Sequence, residues 1–191
     1  RTLPGEIDGF GKDAQAQAVE FMLATAAKRT SGKSNVAVDT FADASGRLAM
    51  RVALINDDMP FLVDSVAAAL ASANVAIERL IHPVVDVERD ASGTLTALSE
   101  KRGSTGKSES FIYVETSRID AKERRALADS LAAVLEDVRC AVTDWRKMQG
   151  AMSEDADSLP EGEGAALMRW FMDGAMTVLA HERITGNGER D

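Results

Sequence analysis

With 191 residues, 45% hydrophobic and 28% charged, the chain is expected to be globular, as one enlarged domain or two small ones, and not disordered. No apolar run approaches the ~20 residues of a membrane span, and a net charge of -9 is the wrong sign for phosphate neutralisation, so neither a membrane nor a nucleic acid is expected as partner. The lone cysteine, Cys140, excludes an internal disulfide framework and a paired-cysteine metal site, and fits a cytoplasmic setting.

The chain opens at Arg1 and not at methionine, and it stops shortly after an apolar run at 176–179. We therefore expect a piece of something longer. Residues 12–29 read as a helix, with Val19, Met22, Leu23 and Ala26 at helical spacing. A polar break at 30–34 and a short apolar stretch at 36–41 complete an N-terminal flank, residues 1–46.

From Arg47 the pattern alternates. Leu48, Met50, Val52 and Leu54 share one strand face, and Ala49, Ala53 and Ile55 the other. Both faces are apolar, so the strand is central in its sheet. A helix follows the polar Asn56-Asp57-Asp58. Asp58 can cap it, Pro60 suits its first turn, and Leu62, Val66, Leu70 and Ala73 form its stripe up to a stop at Asn74. A second strand covers 75–88. Pro83 cannot donate to a ladder, so this strand must be an edge or carry a bulge. A brief strand at 94–98 and a polar loop at 99–109, expected to be mobile, lead to a third main strand, 110–116. Asp120 and Glu123 have capping-box spacing, and Leu127, Leu131, Val134 and Leu135 mark the helix they open. A fourth strand is expected at 137–144, with Val138, Cys140 and Val142 on one face and Cys140 as a small core residue.

The order from 47 to 145 is β-α-β-β-α-β. That is an α+β, ferredoxin-like antiparallel sheet with two helices on one face, plus flanking helices. Residues 146–191 read as a linker helix and the start of a next module. They hold an acidic linker at 153–163, a helix at 164–173, and a strand at 176–184 whose partner is expected elsewhere.

Catalytic constellations are scarce. His82 and His181 are almost a hundred residues apart, and no phosphate-binding or dinucleotide glycine pattern occurs. No catalytic residue and no metal ligand is assigned. The one loop with chemical character is Asn56, Asp57, Asp58, Met59, Pro60 and Phe61, between a central strand and a helix N-terminus, where small ligands often sit. The plainer alternative is that Asp58 only caps and Phe61 only plugs the core. Met168, Trp170, Phe171 and Met172 crowd one short helix, more apolar surface than that helix can cover, and together with Pro83 on its edge strand they are candidate interface residues.

The stretch NDDMPFLVDSVAAALASANVAIERL from Asn56 resembles the first strand-loop-helix-strand of ACT domains, which share this β-α-β-β-α-β order. Where those domains carry Pro-Gly, this chain has Pro60-Phe61. DDMPFLVDS from Asp57, HPVVDVERDASG from His82, ESFIYVE from Glu109, DVRCAVTDWRKM from Asp137 and LMRWFMDGAMTVLAHER from Leu167 are similar, in order, to the N-terminal region of the large bacterial NAD-specific glutamate dehydrogenases. Ala180 and His181 depart from that pattern. The resemblance implies a non-catalytic ACT-like module that regulates or assembles an enzyme oxidising L-glutamate to 2-oxoglutarate and ammonia. NAD would bind in the parent enzyme, far downstream, and no cofactor in this region. The partners implied are the remaining domains of the same polypeptide, a homo-oligomer and an amino-acid effector. A purely architectural docking role and a stand-alone ferredoxin-like enzyme are the alternatives.

Overall fold

The computed structural model describes residues 7–43, 45–99, 107–176 and 178–184. The described elements are α1 (Lys12–Ala26), β1 (Asn35–Ala42), β2 (Leu48–Asp57), α2 (Leu62–Ser72), β3 (Ile77–Ile81), β4 (Val84–Arg89), β5 (Leu95–Ser99), β6 (Ser108–Thr116), α3 (Ala121–Ser158) and α4 (Glu163–Trp170), followed by a π-helical turn, Phe171–Ala175. The chain divides into two compact units, one up to Val138 and one from Arg139.

The first unit is α+β. Its antiparallel sheet runs β1-β2-β6-β4-β5, with β3 also paired to β6. The architecture is of the ACT-like, ferredoxin type. β2 is central as its two apolar faces require. Met50, Val52 and Leu54 on one face and Ala53 and Ile55 on the other are fully buried.

One expected strand is absent. Residues 137–144 are not a strand but the middle of α3, and Cys140 is exposed on it, not in the core. Leu127, Leu131, Leu135 and Val138 are buried at spacings of three and four, and Met148 and Met152 are buried further along. That is a helical stripe, and no turn residue interrupts it. The alternation of Val138, Cys140 and Val142 is a coincidence inside it, since 138 and 142 also share a helix face. β1, from the N-terminal flank, joins the sheet beside β2 on the side away from β6. It pairs in full register from Asn35 opposite Ile55 to Ala42 opposite Leu48.

The strand expected over 75–88 is split at His82-Pro83 into β3 and β4, both antiparallel to β6. Proline supplies no amide, but the Pro83 carbonyl accepts from Phe111 N–H at 2.9 Å. β5 pairs with Asp86–Arg89 of β4, while β3, just before Pro83, pairs among the described strands with β6 alone.

Both sheet faces are covered. Phe10, Ala18, Met22 and Ala26 of the α1 region pack with Ala53, Ile55, Ile81, Val87, Phe111 and Tyr113. The opposite face carries Met50, Val52, Leu54, Ile112 and Val114, all buried. The buried stripes of α2 (Leu62, Val66, Leu70) and α3 (Leu127, Leu131, Leu135) account for that cover. Arg124 of α3 reaches Thr40, which stands opposite Met50, with Nη1 2.6 Å from Oγ1. The helix ends follow local chemistry. Asp120 Oδ1 accepts from Glu123 N–H at 2.8 Å and Glu123 Oε2 accepts from Asp120 N–H at 3.3 Å, which closes the capping box. Asn74, at φ 56, stops α2.

In the second unit α3 runs on to Ser158, through half of the expected acidic linker, because nothing before Leu159-Pro160 breaks a helix. Residues 178–183 form no strand, against expectation. Extended chain becomes a strand only where a ladder partner stands beside it. Most of the loop 99–109 lies outside the described residues, but Ser108 and Glu109 are the first residues of β6.

Candidate functional site

The ends of β2, β4 and β6 converge on a polar cleft of about 860 Å³, lined by Arg29, Asp57, Asp58, Arg89, Lys107 and Glu109 among others. Its floor is built from two arginines and one glutamate. Glu109 is opposite Asp57 in the β2–β6 ladder and opposite Val85 in the β4–β6 ladder. Only 2% of its surface is exposed. A buried carboxylate needs partners, and it has two. Arg89 donates from Nε and Nη2 to the two oxygens, 2.8 Å each. Arg29 donates to Oε1 from Nη2 at 2.6 Å and from Nε at 3.1 Å.

Arg29, only 4% exposed, is delivered by the segment after α1. That segment is laced to the β4–β5 hairpin. Arg29 N–H donates to the Gly93 carbonyl at 2.9 Å, and Leu95 N–H to the Ala27 carbonyl at 2.9 Å. Gly93 has φ +83, and a Cβ there would overlap the Arg29 carbonyl oxygen. Glycine is required on both counts. The remaining guanidinium donors are also engaged. Arg29 Nη2 bonds Asp57 at 2.5 Å and Nη1 the Lys33 carbonyl at 2.7 Å. Arg89 Nη1 bonds the carbonyls of Ala26 and Gly93 at 2.9 and 2.8 Å.

Burial alone would raise the Glu109 carboxyl. The bonds from Arg89 and Arg29 outweigh it and hold the group below the ordinary glutamate value. Burial likewise works against the Arg29 charge, and the bonds to Asp57 and Glu109 outweigh it, so its pKa rises. Glu109 and Arg29 are therefore both charged at neutral pH. It clamps three chain segments, and the cleft's rim adds the carboxylate of Asp58 and the ammonium of Lys107.

The structure separates the six loop residues singled out in the sequence. Asn56 and Asp57 are the last residues of β2, with Asn56 buried. Asp58 does not cap α2. Its Oδ1 accepts from Ser110 Oγ at 2.8 Å and its amide donates to the Ser108 carbonyl, tying the loop to β6. Phe61 takes the N-cap position without a side-chain bond. It does not plug the core, being 49% exposed. Met59, Pro60 and Phe61 do not line the cleft. Phe61 adopts φ 71, a left-handed conformation that glycine takes without cost. That is the conformation expected at a Pro-Gly junction, retained here by a phenylalanine.

Arg29, Arg89 and Glu109 escape a sequence reading because they come from a post-helix break, a hairpin turn and a strand start. The one available signal is a glutamate opening the apolar run Phe111–Val114. Elsewhere, Trp170 is exposed, while Met168, Phe171 and Met172 are half-buried. His181 bonds Asp155 at 2.9 Å. Among the described residues no group of three or more His, Cys, Asp or Glu could hold a metal ion, and no helix is long and apolar enough to cross a membrane.

Residues 3–131 match the family described as "Glutamate dehydrogenase, ACT1 domain". The chain belongs to this family. The matched span takes in the whole sheet and the start of α3. Outside the family description, this ACT1 domain is 33% identical over 156 residues to the NAD-specific glutamate dehydrogenase of Pseudomonas aeruginosa, covering 73% of this chain and 9% of that protein. It is 28% identical over 145 residues to the NAD-specific glutamate dehydrogenase of Halomonas elongata, covering 69% of this chain and again 9% of the relative. The chain thus spans about a tenth of the length of the curated relatives it matches.

Proposed function

We propose that this ACT1 domain is a non-catalytic regulatory and assembly module of an NAD-dependent glutamate dehydrogenase in the cytoplasm. The parent reaction would convert L-glutamate, NAD and water to 2-oxoglutarate, ammonia and NADH. The observation that carries this reading is the family match over the same strands that meet at the cleft. The relatives named NAD-specific glutamate dehydrogenase support the parent activity.

Two features support placing the nicotinamide chemistry elsewhere in the parent. Neither strand-to-helix junction, β2 to α2 or β6 to α3, contains a glycine, and the first presents Asp57 and Asp58. A pyrophosphate needs close backbone approach and no opposing charge, so these junctions do not fit a dinucleotide.

The effector would be an amino acid at the cleft rim, with its ammonium near Asp57 and Asp58 and its carboxylate near Lys107. Binding there would act through a differential affinity for two states of the parent, typically ~1–3 kcal/mol. Calorimetric titration with a panel of amino acids tests this. Saturable heat that is lost in Asp58→Ala and Lys107→Ala supports it. Absence of binding at millimolar concentration leaves an architectural role, the second reading, favoured by the exposed apolar side chains of the second unit. NAD-dependent glutamate oxidation by the 191-residue chain alone would overturn the non-catalytic assignment.

A further inference from the structure

The second unit holds an apolar surface that its own described residues do not cover. Among the described residues from Arg139 onward, only Met148, Met152, Ala156 and Ala165 are buried apolar side chains. Two thioethers and two methyl groups do not make a core for a unit of this size. The missing apolar surface is on the outside. Leu159, Leu167, Trp170, Met176, Leu179 and Ile184 are all exposed, Trp170 at 56% and Leu179 at 69%. Leu167 and Trp170 are three residues apart on α4 and share a face. Trp170 is braced by Phe171, ring centroids 5.5 Å apart.

The stretch 178–184 has a second peculiarity. Residues 178–183 belong to no strand, and Ile184 stands in a single bridge. Polar contacts to α3 hold them. His181 bonds Asp155 at 2.9 Å, and Arg183 donates to Asp155 from Nε at 2.7 Å and also pairs with it through Nη2. The polar side chains turn toward α3, and Leu179 and Ile184 remain exposed.

We propose that the α4 face around Trp170 and the segment 178–184 form a docking surface for another domain of the same polypeptide. That domain would cover Leu167, Trp170 and Leu179. This rests on the reading above, that the chain is one part of a longer dehydrogenase. Two observations select this occupant over a second copy. The matched relatives are about eleven times longer than the aligned region, which covers 9% of each. The ACT1 match ends at residue 131, before the second unit begins. Glu154, Asp155 and Asp157 of this unit are already paired with Arg183 and Arg169, so the partner surface it calls for is chiefly apolar.

The test compares the 191-residue chain with the complete gene product, both carrying Trp145→Phe so that Trp170 is the only tryptophan from this region followed. Tryptophans outside it in the complete product are subtracted with a Trp170→Phe control. In the 191-residue chain acrylamide should quench Trp170 freely at every protein concentration. In the complete product quenching should fall severalfold, and Leu179→Glu should restore it. Unchanged quenching in the complete product overturns the proposal, as does a gene product no longer than this chain. Concentration-dependent protection in the 191-residue chain also overturns it, in favour of a second copy. None of these readouts needs an effector, so failure of the amino-acid titration leaves them unaffected.

Discussion

Up to Val138 the sheet has helices on both faces, and Met50, Val52, Ala53, Leu54, Ile55 and Val114 are fully buried between them. From Arg139 the chain has regular helices, yet among the described residues its buried apolar set is four residues and two of those are alanine. Both units have ordinary secondary structure, so the difference lies in packing. A helix is stabilised chiefly by what its apolar face buries, and α4 has little to bury against. The first unit thus has the buried core that independent folding needs, and the described part of the second does not. The boundary falls inside α3, a helix of 38 residues.

This contrast can be broken most severely at the buried ion cluster. Glu109→Ala leaves Arg29 and Arg89 buried without their shared carboxylate, and should cost about 3–5 kcal/mol in chemical denaturation. A loss under about 1 kcal/mol would mean that water replaces the carboxylate. Gly93→Ala combines a positive φ with a collision against the Arg29 carbonyl, and should cost about 2–4 kcal/mol with loss of the pairing at Arg29. In the second unit, Trp170→Ala removes an exposed side chain and should change stability of the 191-residue chain by no more than about 0.5 kcal/mol.

Two smaller effects sharpen the picture of the first unit. Phe61→Gly removes a left-handed non-glycine residue and should stabilise by about 1 kcal/mol, seen as a raised Tm. A fall in Tm would show that the half-exposed ring packs usefully. Glu109 also sets a pH dependence. Its folded pKa lies below the ordinary glutamate value, so its contribution is complete above that value, ~4.3, and is lost as pH falls through the folded one. Glu109→Gln should be less stable at neutral pH and show a shallower acid limb than the parent sequence.

Much of this was legible in the sequence because β2, α2 and β6 are locally consistent. Apolar period, turn chemistry and caps agree there. The capping box at Asp120 and the centrality of β2 follow from spacing alone. The expected strand at 137–144 failed because a period of two over three residues is also compatible with a helix, and the longer stripe from Leu127 to Val138 decides the matter. The site was half legible. Asp57 and Asp58 stand out beside a helix start, but Arg29, Arg89 and Glu109 meet only through the β2–β6–β4 register and the lacing of Arg29 to Gly93. A buried charge cluster assembled from such distant positions leaves no local pattern. Trp170 was legible as surplus apolar area, and the exposed Leu179 was not, because an apolar run reads as a strand until its partner is sought.

Residue-resolved hydrogen exchange on the 191-residue chain tests the contrast between the two units most directly. Amides of β2 and β6 should exchange only through global unfolding, while those of α4 and of 178–184 should exchange orders of magnitude faster. Equal protection across both units, at a concentration where the chain is monomeric, would contradict it and show that the second unit is stable without a partner.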